Sequence, residues 1–513
     1  MWIVIILVFL FFLLVYYKFY LPLQYWRDRQ IPHLTPSLII GNLGPVIRRK
    51  ETFNAYLQKI CGKFKNFRYF GFYQFSQPCL ILLDRELIKQ IFVKHFENFT
   101  DHYDVLPKDI DTFWKRGFPA FTSKKMKAMF QLVTECSERF VDYFVKQNTI
   151  IALDIMDAFT KFNNDVIASC TFGIHCDSLI NENNEFYRMG KEAFDFSGLK
   201  SIKFFGNAFS PTLSRLFRVK MFSTRISNFF LRITKETISY RKQTGLYRPD
   251  VMHLLIEAQK GRLTYDDDDL VVSGYSGIDD FYPIKPNFSN KTPITDEDIA
   301  SQAFVFFFGS YDTMSSALSH TVYELVANMD VQVKLRTEIN YTLNQCNGKI
   351  TYESIFKMKY LDMVISESLR LWPPPAILNR VCVKPFVIEP ILPNEKSLLV
   401  EPGTEIIIPV YASHRNPKYF TNPDKFDPDR FSDENKDTIK SFTYFPFGIG
   451  PRFCIGNRFA LMTMKIIIYK LLAHFEIIPV KQTVIPLEQS KNTIMLRSKH
   501  GYWFGLKPIQ DKL

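Results

Sequence analysis

"FPFGIGPRFCIGN", residues Phe445–Asn457, packs three glycines, two prolines, three phenylalanines and one cysteine into thirteen positions. Glycines at that density bar a regular helix, yet the residues between them are too apolar for a solvated loop. The next residues, "NRFALMTMKIIIYKLLAHF" (457–475), have the apolar spacing of an amphipathic helix starting near Asn457. Cys454 therefore stands just before a helix N-terminus, where peptide dipoles and free N–H groups favour a thiolate. Arg452 adds positive charge close by.

A zinc role for Cys454 needs three more nitrogen or sulfur ligands, and none lies nearby in sequence. A nucleophile needs a base, and the segment offers no histidine. A buried structural thiol is the plain alternative, but it leaves the glycines of positions 448, 450 and 456 unexplained. Glycines that let backbone approach closely, around one thiolate, suit a single axial ligand to a large, flat, apolar cofactor, with haem iron the candidate.

Composition is compatible with an apolar cavity. The chain has 513 residues, 47% hydrophobic and 16% aromatic, with 50 phenylalanines, so ample apolar surface is available for burial. The net charge is +12, but the lysines and arginines are scattered, without an Arg-rich arm or a zinc-finger spacing. Nucleic acid is therefore not the expected partner; an anionic membrane face or an acidic protein is. The eight cysteines form no C-x-x-C pair, so neither a zinc ribbon nor a disulfide framework is expected, and reduced thiols favour the cytosol.

"MWIVIILVFLFFLLVYYKFYL" carries no charge before Lys18 and is long enough, at 1.5 Å per residue, for a bilayer core of about 30 Å. It lacks the basic start and small-residue cleavage site of a signal peptide. Lys18, Arg27 and Arg29 follow it, so the positive-inside rule places the body in the cytosol and leaves the sequons at Asn98, Asn287, Asn290 and Asn340 unglycosylated. The expected organisation is an anchor over 1–21, a Pro/Gly-rich linker over 22–46 and one catalytic body over 47–513.

Within the body, 67–84 reads as a hairpin with its turn near Gln77-Pro78, and Leu87 to about Tyr240 as mainly helical. The acidic run in 264–293 lacks the spacing and closing Glu of an EF-hand and reads as a solvated loop. Helical spacing resumes over Thr295–Met329 and Leu361–Leu371; "LLVEPGTEIIIPVYASHR" suggests short strands around a Pro-Gly turn.

Two helical segments carry polar residues of note. In "ESLRLWPPP", Glu367 and Arg370 are three apart on one face and within reach of each other. In "AFVFFFGSYDTMSSALSHTVYELVANM" (303–329), Thr313 follows Gly309 by four, so its hydroxyl can reach that carbonyl and loosen the helix there. Core packing accounts for the phenylalanines, Phe304 and Phe308 included, but not for Asp312-Thr313.

Phe447-Gly448-Ile449-Gly450-Pro451-Arg452-Phe453-Cys454-Ile455-Gly456 resembles the haem-binding signature of the cytochrome P-450 family at every fixed position, and "FNNDVIASCTFGIHCDSL" and "FTSKKMKAMF" resemble its insect microsomal members. The resemblance implies a mainly α fold with a small β part, haem b lying between a long central helix and the Cys-bearing loop. It implies that Cys454 ligates iron, with Phe447, Gly448, Gly450, Gly456 and Gly309 around the cofactor and Arg452 and Arg380 toward its propionates. It makes Glu367, Arg370 and Arg430 a buried structural triad, and Asp312 and Thr313 an acid–alcohol pair relaying protons, with Ser310 in place of the family's usual glycine. Phe304, Phe308, Ala376 and Ile377 would line a substrate pocket.

The activity implied is insertion of one atom of O2 into a hydrophobic small molecule. The resemblance supplies electrons from NADPH through a flavoprotein reductase, with cytochrome b5 as a further donor, at the endoplasmic reticulum membrane. The family normally has a longer stretch between "FENFTDHY" and "PAFTSKKMKAMF", with a Trp-x-x-x-Arg pair; here Trp114 and Arg116 are two apart. Two rival readings follow: a haem isomerase or dehydratase that uses no O2, which Asp312-Thr313 argues against, and a haem-deficient membrane protein, if the shortened segment prevents haem binding.

Overall fold

The structure, a computed structural model, describes residues 1–103, 123–195, 200, 203, 206, 211–261, 293–493 and 495–509. Trp114, Arg116, the sequons at Asn287 and Asn290 and nearly all of the acidic run lie outside the described residues.

The helical run Trp2–Asp28 has a stretch of mean hydropathy 2.5 with no buried residue. It is, among the described residues, the one helix long and apolar enough to cross a membrane. Its foot is fixed to the body. Trp26 is 1% exposed, its indole Nε1 donates to the Phe72 carbonyl at 3.2 Å, and its backbone N–H donates to the Tyr73 hydroxyl at 3.0 Å. Only glycine fits beneath it, since a Cβ on Gly71 would meet the indole at 2.4 Å.

That contact lies on the first of four strands, β1 (Tyr69–Gln74), β2 (Gln77–Leu82), β4 (Leu378–Val381) and β7 (Glu405–Ile408), ordered β1-β2-β7-β4. The β1–β2 turn falls at Phe75-Ser76, with Phe75 at φ 55°, and Gln77-Pro78 already belongs to β2. Pro78 pairs with Tyr73 at the hairpin end, before the Cys79–Ile81 stretch that joins β7. Residues 22–46 run along this sheet rather than hanging free: His33 bridges Gly71, and Gly41 bridges Gln74.

The expected strands flanking the Pro-Gly turn exist, but do not pair with each other. β6 (Leu398–Val400) pairs with β5 (Phe386–Ile388), while β7 runs between β2 and β4. A third sheet contains β3 (Ile151–Asp154), inside the segment read as helical, against β9 (Trp503–Pro508) and β8 (Phe475–Pro479). Its partner strand lies some 350 positions away, and four residues are too short for an alternation to stand out.

The remaining body is helical. The central helix Asp296–Ala327 starts at Thr295, whose side chain takes the Asp298 N–H in a capping box. It runs through the largest apolar cluster, packed against the helix Ile155–Ile167 on one side and against Lys359–Leu371 and Asn457–His474 on others. The Cys454 loop thus enters a helix that rests directly on the central one.

Candidate haem-thiolate site

The loop is folded by its own backbone. Cys454 N–H donates to the Phe447 carbonyl at 2.7 Å, Phe453 to Gly450 at 3.0 Å, and Gly448 to Phe445 at 3.1 Å. Gly448 and Gly450 take φ of 83° and 70°, which side chains resist, and a Cβ on Gly450 would lie 2.1 Å from the Phe92 carbonyl oxygen. Of the eight cysteines only Cys454 has an exposed side chain; six are buried, Cys346 is half-buried, and none is disulfide-bonded. Surrounding protein nevertheless pushes its thiol above the ordinary value, with the Gly456 N–H as the opposing influence. A bound metal cation is what would hold the sulfur as the thiolate.

Two arginines at the loop, Arg380 and Arg452, lie close enough for their charges to oppose each other. Arg380, on β4, is 2% exposed and donates to the Ile449 carbonyl at 3.4 Å, its guanidinium 4.9 Å from the centre of the Phe92 ring. Burial and then the neighbouring Arg452 push its pKa down to about 10. Its Nε is buried without a hydrogen-bond partner, and among the described residues no carboxylate pairs with either arginine. His102 sits 3.3 Å from Arg380 Nη1 and contacts Asn379. Two close, uncompensated cations fit an anionic group. One accessible thiol, with no cluster of three or more metal-ligating side chains among the described residues, fits a metal that takes a single protein ligand. A haem carries both features.

The support behind the loop is the expected triad, with Glu367 and Arg370 fully buried and Arg430 half-buried. Arg370 donates to Glu367 from Nε at 2.6 Å and Nη2 at 2.8 Å, and Arg430 Nε reaches Glu367 at 3.2 Å. Arg370 also donates to the carbonyls of His414, Pro423 and Lys425 at 2.8, 2.7 and 3.1 Å. His414 was not singled out by sequence, yet it joins triad and loop. Its Nε2 accepts from Phe445 N–H at 3.0 Å and its Nδ1 meets the Arg370 carbonyl at 3.2 Å. Burial, then the charge of Arg370, lowers its pKa to about 3, so the ring is neutral with its proton on Nδ1.

On the central helix, Thr313 Oγ1 donates to the Gly309 carbonyl at 2.7 Å as expected. The next two carbonyls are taken as well: Asn163 Nδ2, from the helix Ile155–Ile167, donates to Ser310 and Tyr311 at 2.8 and 2.9 Å. Side chains thus engage three successive carbonyls, with open space where a Cβ on Gly309 would stand. Asp312 forms an ion pair with Arg497, which also contacts the Met156 sulfur at 2.9 Å. Asn163 and Arg497 were invisible as site residues because they are distant in sequence.

The proposed pocket residues divide. Phe304 is fully buried among Phe222, Phe230 and Phe307, whereas Phe308 keeps part of its surface accessible and stacks on Phe194 at 4.7 Å. Ala376 packs with the cluster containing the central helix; Ile377 packs with a different one, beside Ile407 and Phe70.

With this geometry in hand, the chain matches the family described as Cytochrome P450 over residues 31–504. It is 39% identical to cytochrome P450 9e2 of Blattella germanica over 94% of both chains. It is 35% identical to probable cytochrome P450 9f2 of Drosophila melanogaster, over 94% of this chain and 95% of that one. With cytochrome P450 6a2 of Drosophila melanogaster the identity is 34% over 96% and 97%. The chain belongs to the cytochrome P450 family. It is accordingly a haem-dependent monooxygenase of the oxidoreductase class.

Proposed function

We propose that this monooxygenase inserts one oxygen atom of O2 into a hydrophobic small molecule, at the endoplasmic reticulum membrane. NADPH supplies the electrons through a flavoprotein reductase, with cytochrome b5 as a further donor. The observation that carries the site assignment is the accessible Cys454 thiol in a glycine-shaped loop beside two uncompensated arginines.

In this reading Cys454 is the protein's ligand to iron, and Arg380 and Arg452 hold the propionates. Glu367, Arg370 and Arg430, through His414, keep the loop in place. When bound, haem supplies O2 activation, which a thiolate ligand favours. Thr313, hydrogen-bonded to Gly309, and Asp312, at the half-buried junction with Arg497, form a route for protons from solvent. Phe308 and Ala376 face the substrate from the apolar side, and Phe304 backs them from the core.

The reduced protein under carbon monoxide tests the ligand. A thiolate-type band, lost in Cys454→Ala, is expected; a band that persists in the variant overturns the assignment. Oxygen incorporation from O2 in the presence of NADPH and reductase separates monooxygenation from an O2-independent isomerisation. Sugar removable by endoglycosidase at Asn98 or Asn340 would overturn the cytosolic placement of the body.

A further inference from the structure

The helix Ile155–Ile167 packs against the central helix, and Phe159 and Val166, about one turn to either side of Asn163, are fully buried. Asn163 is fully buried with them, at a place where an apolar side chain would pack without desolvating polar atoms. Its Nδ2 donates to the Ser310 carbonyl at 2.8 Å and to the Tyr311 carbonyl at 2.9 Å, while its Oδ1 is buried without a hydrogen-bond partner. The opposite amide orientation would set that oxygen against two carbonyl oxygens. The unsatisfied Oδ1 offsets much of what the two hydrogen bonds return to stability. The use of this amide therefore lies in which carbonyls it holds.

Those carbonyls belong to the peptide planes 310–311 and 311–312, and the second plane carries the Asp312 N–H. Thr313 Oγ1 holds the plane before them through the Gly309 carbonyl at 2.7 Å, and Ser315 Oγ adds a second side-chain donor to the Tyr311 carbonyl at 2.8 Å. A carbonyl has two lone pairs, so each can take a side-chain donor besides the helical N–H four residues on. The Tyr311 ring is fixed as well: it is buried, stacks on Phe194 at 4.7 Å, and a Cβ on Gly190 would lie 3.2 Å from it. Thr313 and Ser315 move with the central helix. Asn163 holds the turn from outside it.

We infer that Asn163 is a positioning residue for the Asp312–Thr313 pair: by holding the Ser310 and Tyr311 carbonyls it fixes the turn from which both side chains leave. This rests on the reading of Asp312 and Thr313 as the proton route. Without the amide, the peptide planes keep their helical bonds but lose the outside reference that aims carboxyl and hydroxyl together. Protons then arrive less often in step with electrons, and O2 leaves half-reduced. In that case O2, one NADPH and one proton give hydrogen peroxide and NADP+. Full reduction without an organic substrate instead takes two NADPH and two protons per O2 and gives two waters and two NADP+.

Full-length, haem-loaded protein with NADPH and a flavoprotein reductase, and no added organic substrate, tests this through the hydrogen peroxide released per NADPH oxidised. Amide hydrogen exchange of the ferric protein over Thr313–Ser315, against Thr321–Leu325 of the same helix, reports the turn itself. Asn163→Leu removes both donors at similar volume. Exchange over Thr313–Ser315 should quicken by about fivefold to tenfold, as for loss of one hydrogen bond, with Thr321–Leu325 unchanged. The peroxide share should rise by at least about twofold, as it should in Thr313→Val, because proton delivery is impaired in both. The double variant should release no more than Thr313→Val alone, since the two changes act on one step. Additive effects overturn the positioning role alone, and so do normal exchange and normal peroxide in Asn163→Leu where Thr313→Val releases more. Wild-type peroxide in Thr313→Val overturns the proton route and the positioning role with it. If Asn163→Leu fails to load haem, Asn163→Ala, smaller and likewise without a donor, is read by the same criteria.

Discussion

His414 Nε2 accepts the backbone N–H of Phe445 at 3.0 Å, and the carbonyl of the same histidine accepts Arg370 Nη1 at 2.8 Å. One buried ring thus couples the Glu367–Arg370–Arg430 triad to the first residue of the Cys454 loop. His414→Ala removes the acceptor and leaves a buried N–H unsatisfied, a loss of about 1–3 kcal/mol. The expected result is a lower melting temperature and faster haem loss, with normal far-UV circular dichroism. Haem retention equal to wild type would mean that the loop holds itself.

Glu367→Gln tests the triad more severely. Glu367 and both of its arginine partners lie in protein, Glu367 and Arg370 with fully buried side chains. Removing the carboxylate leaves buried guanidinium charge, at a cost of about 3–5 kcal/mol. The variant should give little soluble, haem-loaded protein. A melting temperature within a few degrees of wild type would show that the carbonyls of His414, Pro423 and Lys425 suffice for Arg370.

Arg380→Met separates cofactor affinity from fold stability. A buried arginine without a carboxylate partner is a cost to the haem-free chain, as its lowered pKa indicates. Replacing it should raise the melting temperature of haem-free protein. It should also weaken haem retention, by about tenfold to a hundredfold for one charged hydrogen bond, read by transfer to apomyoglobin. A loss of both would make Arg380 a structural residue only.

Cys454 and its glycines, Thr313 four after Gly309 and Glu367 three before Arg370 are legible from local spacing, whereas Arg430 and Arg380, whose partners are distant, are legible only through the family resemblance. Local spacing fixes which backbone and side-chain groups meet. His414, Asn163 and Arg497 were not legible because each acts on a segment 31, 147–148 or 185 positions away. The same physics hid β3, whose strand identity depends on β9.

Glu324 gives a pH dependence. It is 6% exposed at the end of the central helix, accepting Trp372 Nε1 at 2.6 Å and Asn328 Nδ2 at 3.1 Å. Burial pushes its pKa up to about 7, against the lowering effects of Trp372 and Arg415. The folded state therefore binds a proton that the unfolded chain has released, and stability falls as pH rises from about 4.5 to 7. His320 and His414, both lowered to about 3, act oppositely: their contribution is complete above about 6.5 and declines below it. Glu324→Gln should raise the melting temperature at pH 8 and leave it unchanged at pH 4. A lower melting temperature at pH 8 would mean an ionised Glu324 stabilised by Arg415.

In the proposed proton route Asp312 is the link to the outer part of the molecule: its carboxylate meets Arg497 while the adjacent Thr313 is turned to Gly309. Both members of the ion pair are partly exposed, 20% and 23%, so the pair itself contributes about 1 kcal/mol or less to folding. Stability and chemistry therefore come apart at this position. Asp312→Asn preserves the shape and leaves Arg497 partly hydrated, and the melting temperature should move by only a few degrees. The same change removes the one carboxylate beside Thr313 on the helix, and turnover should fall by about a hundredfold, within the range of general acid–base catalysis. The solvent deuterium isotope effect on product formation should rise with it, since proton delivery then limits the rate. Unchanged turnover and isotope effect would reduce Asp312 to half of a surface ion pair and leave Thr313 to draw protons from elsewhere.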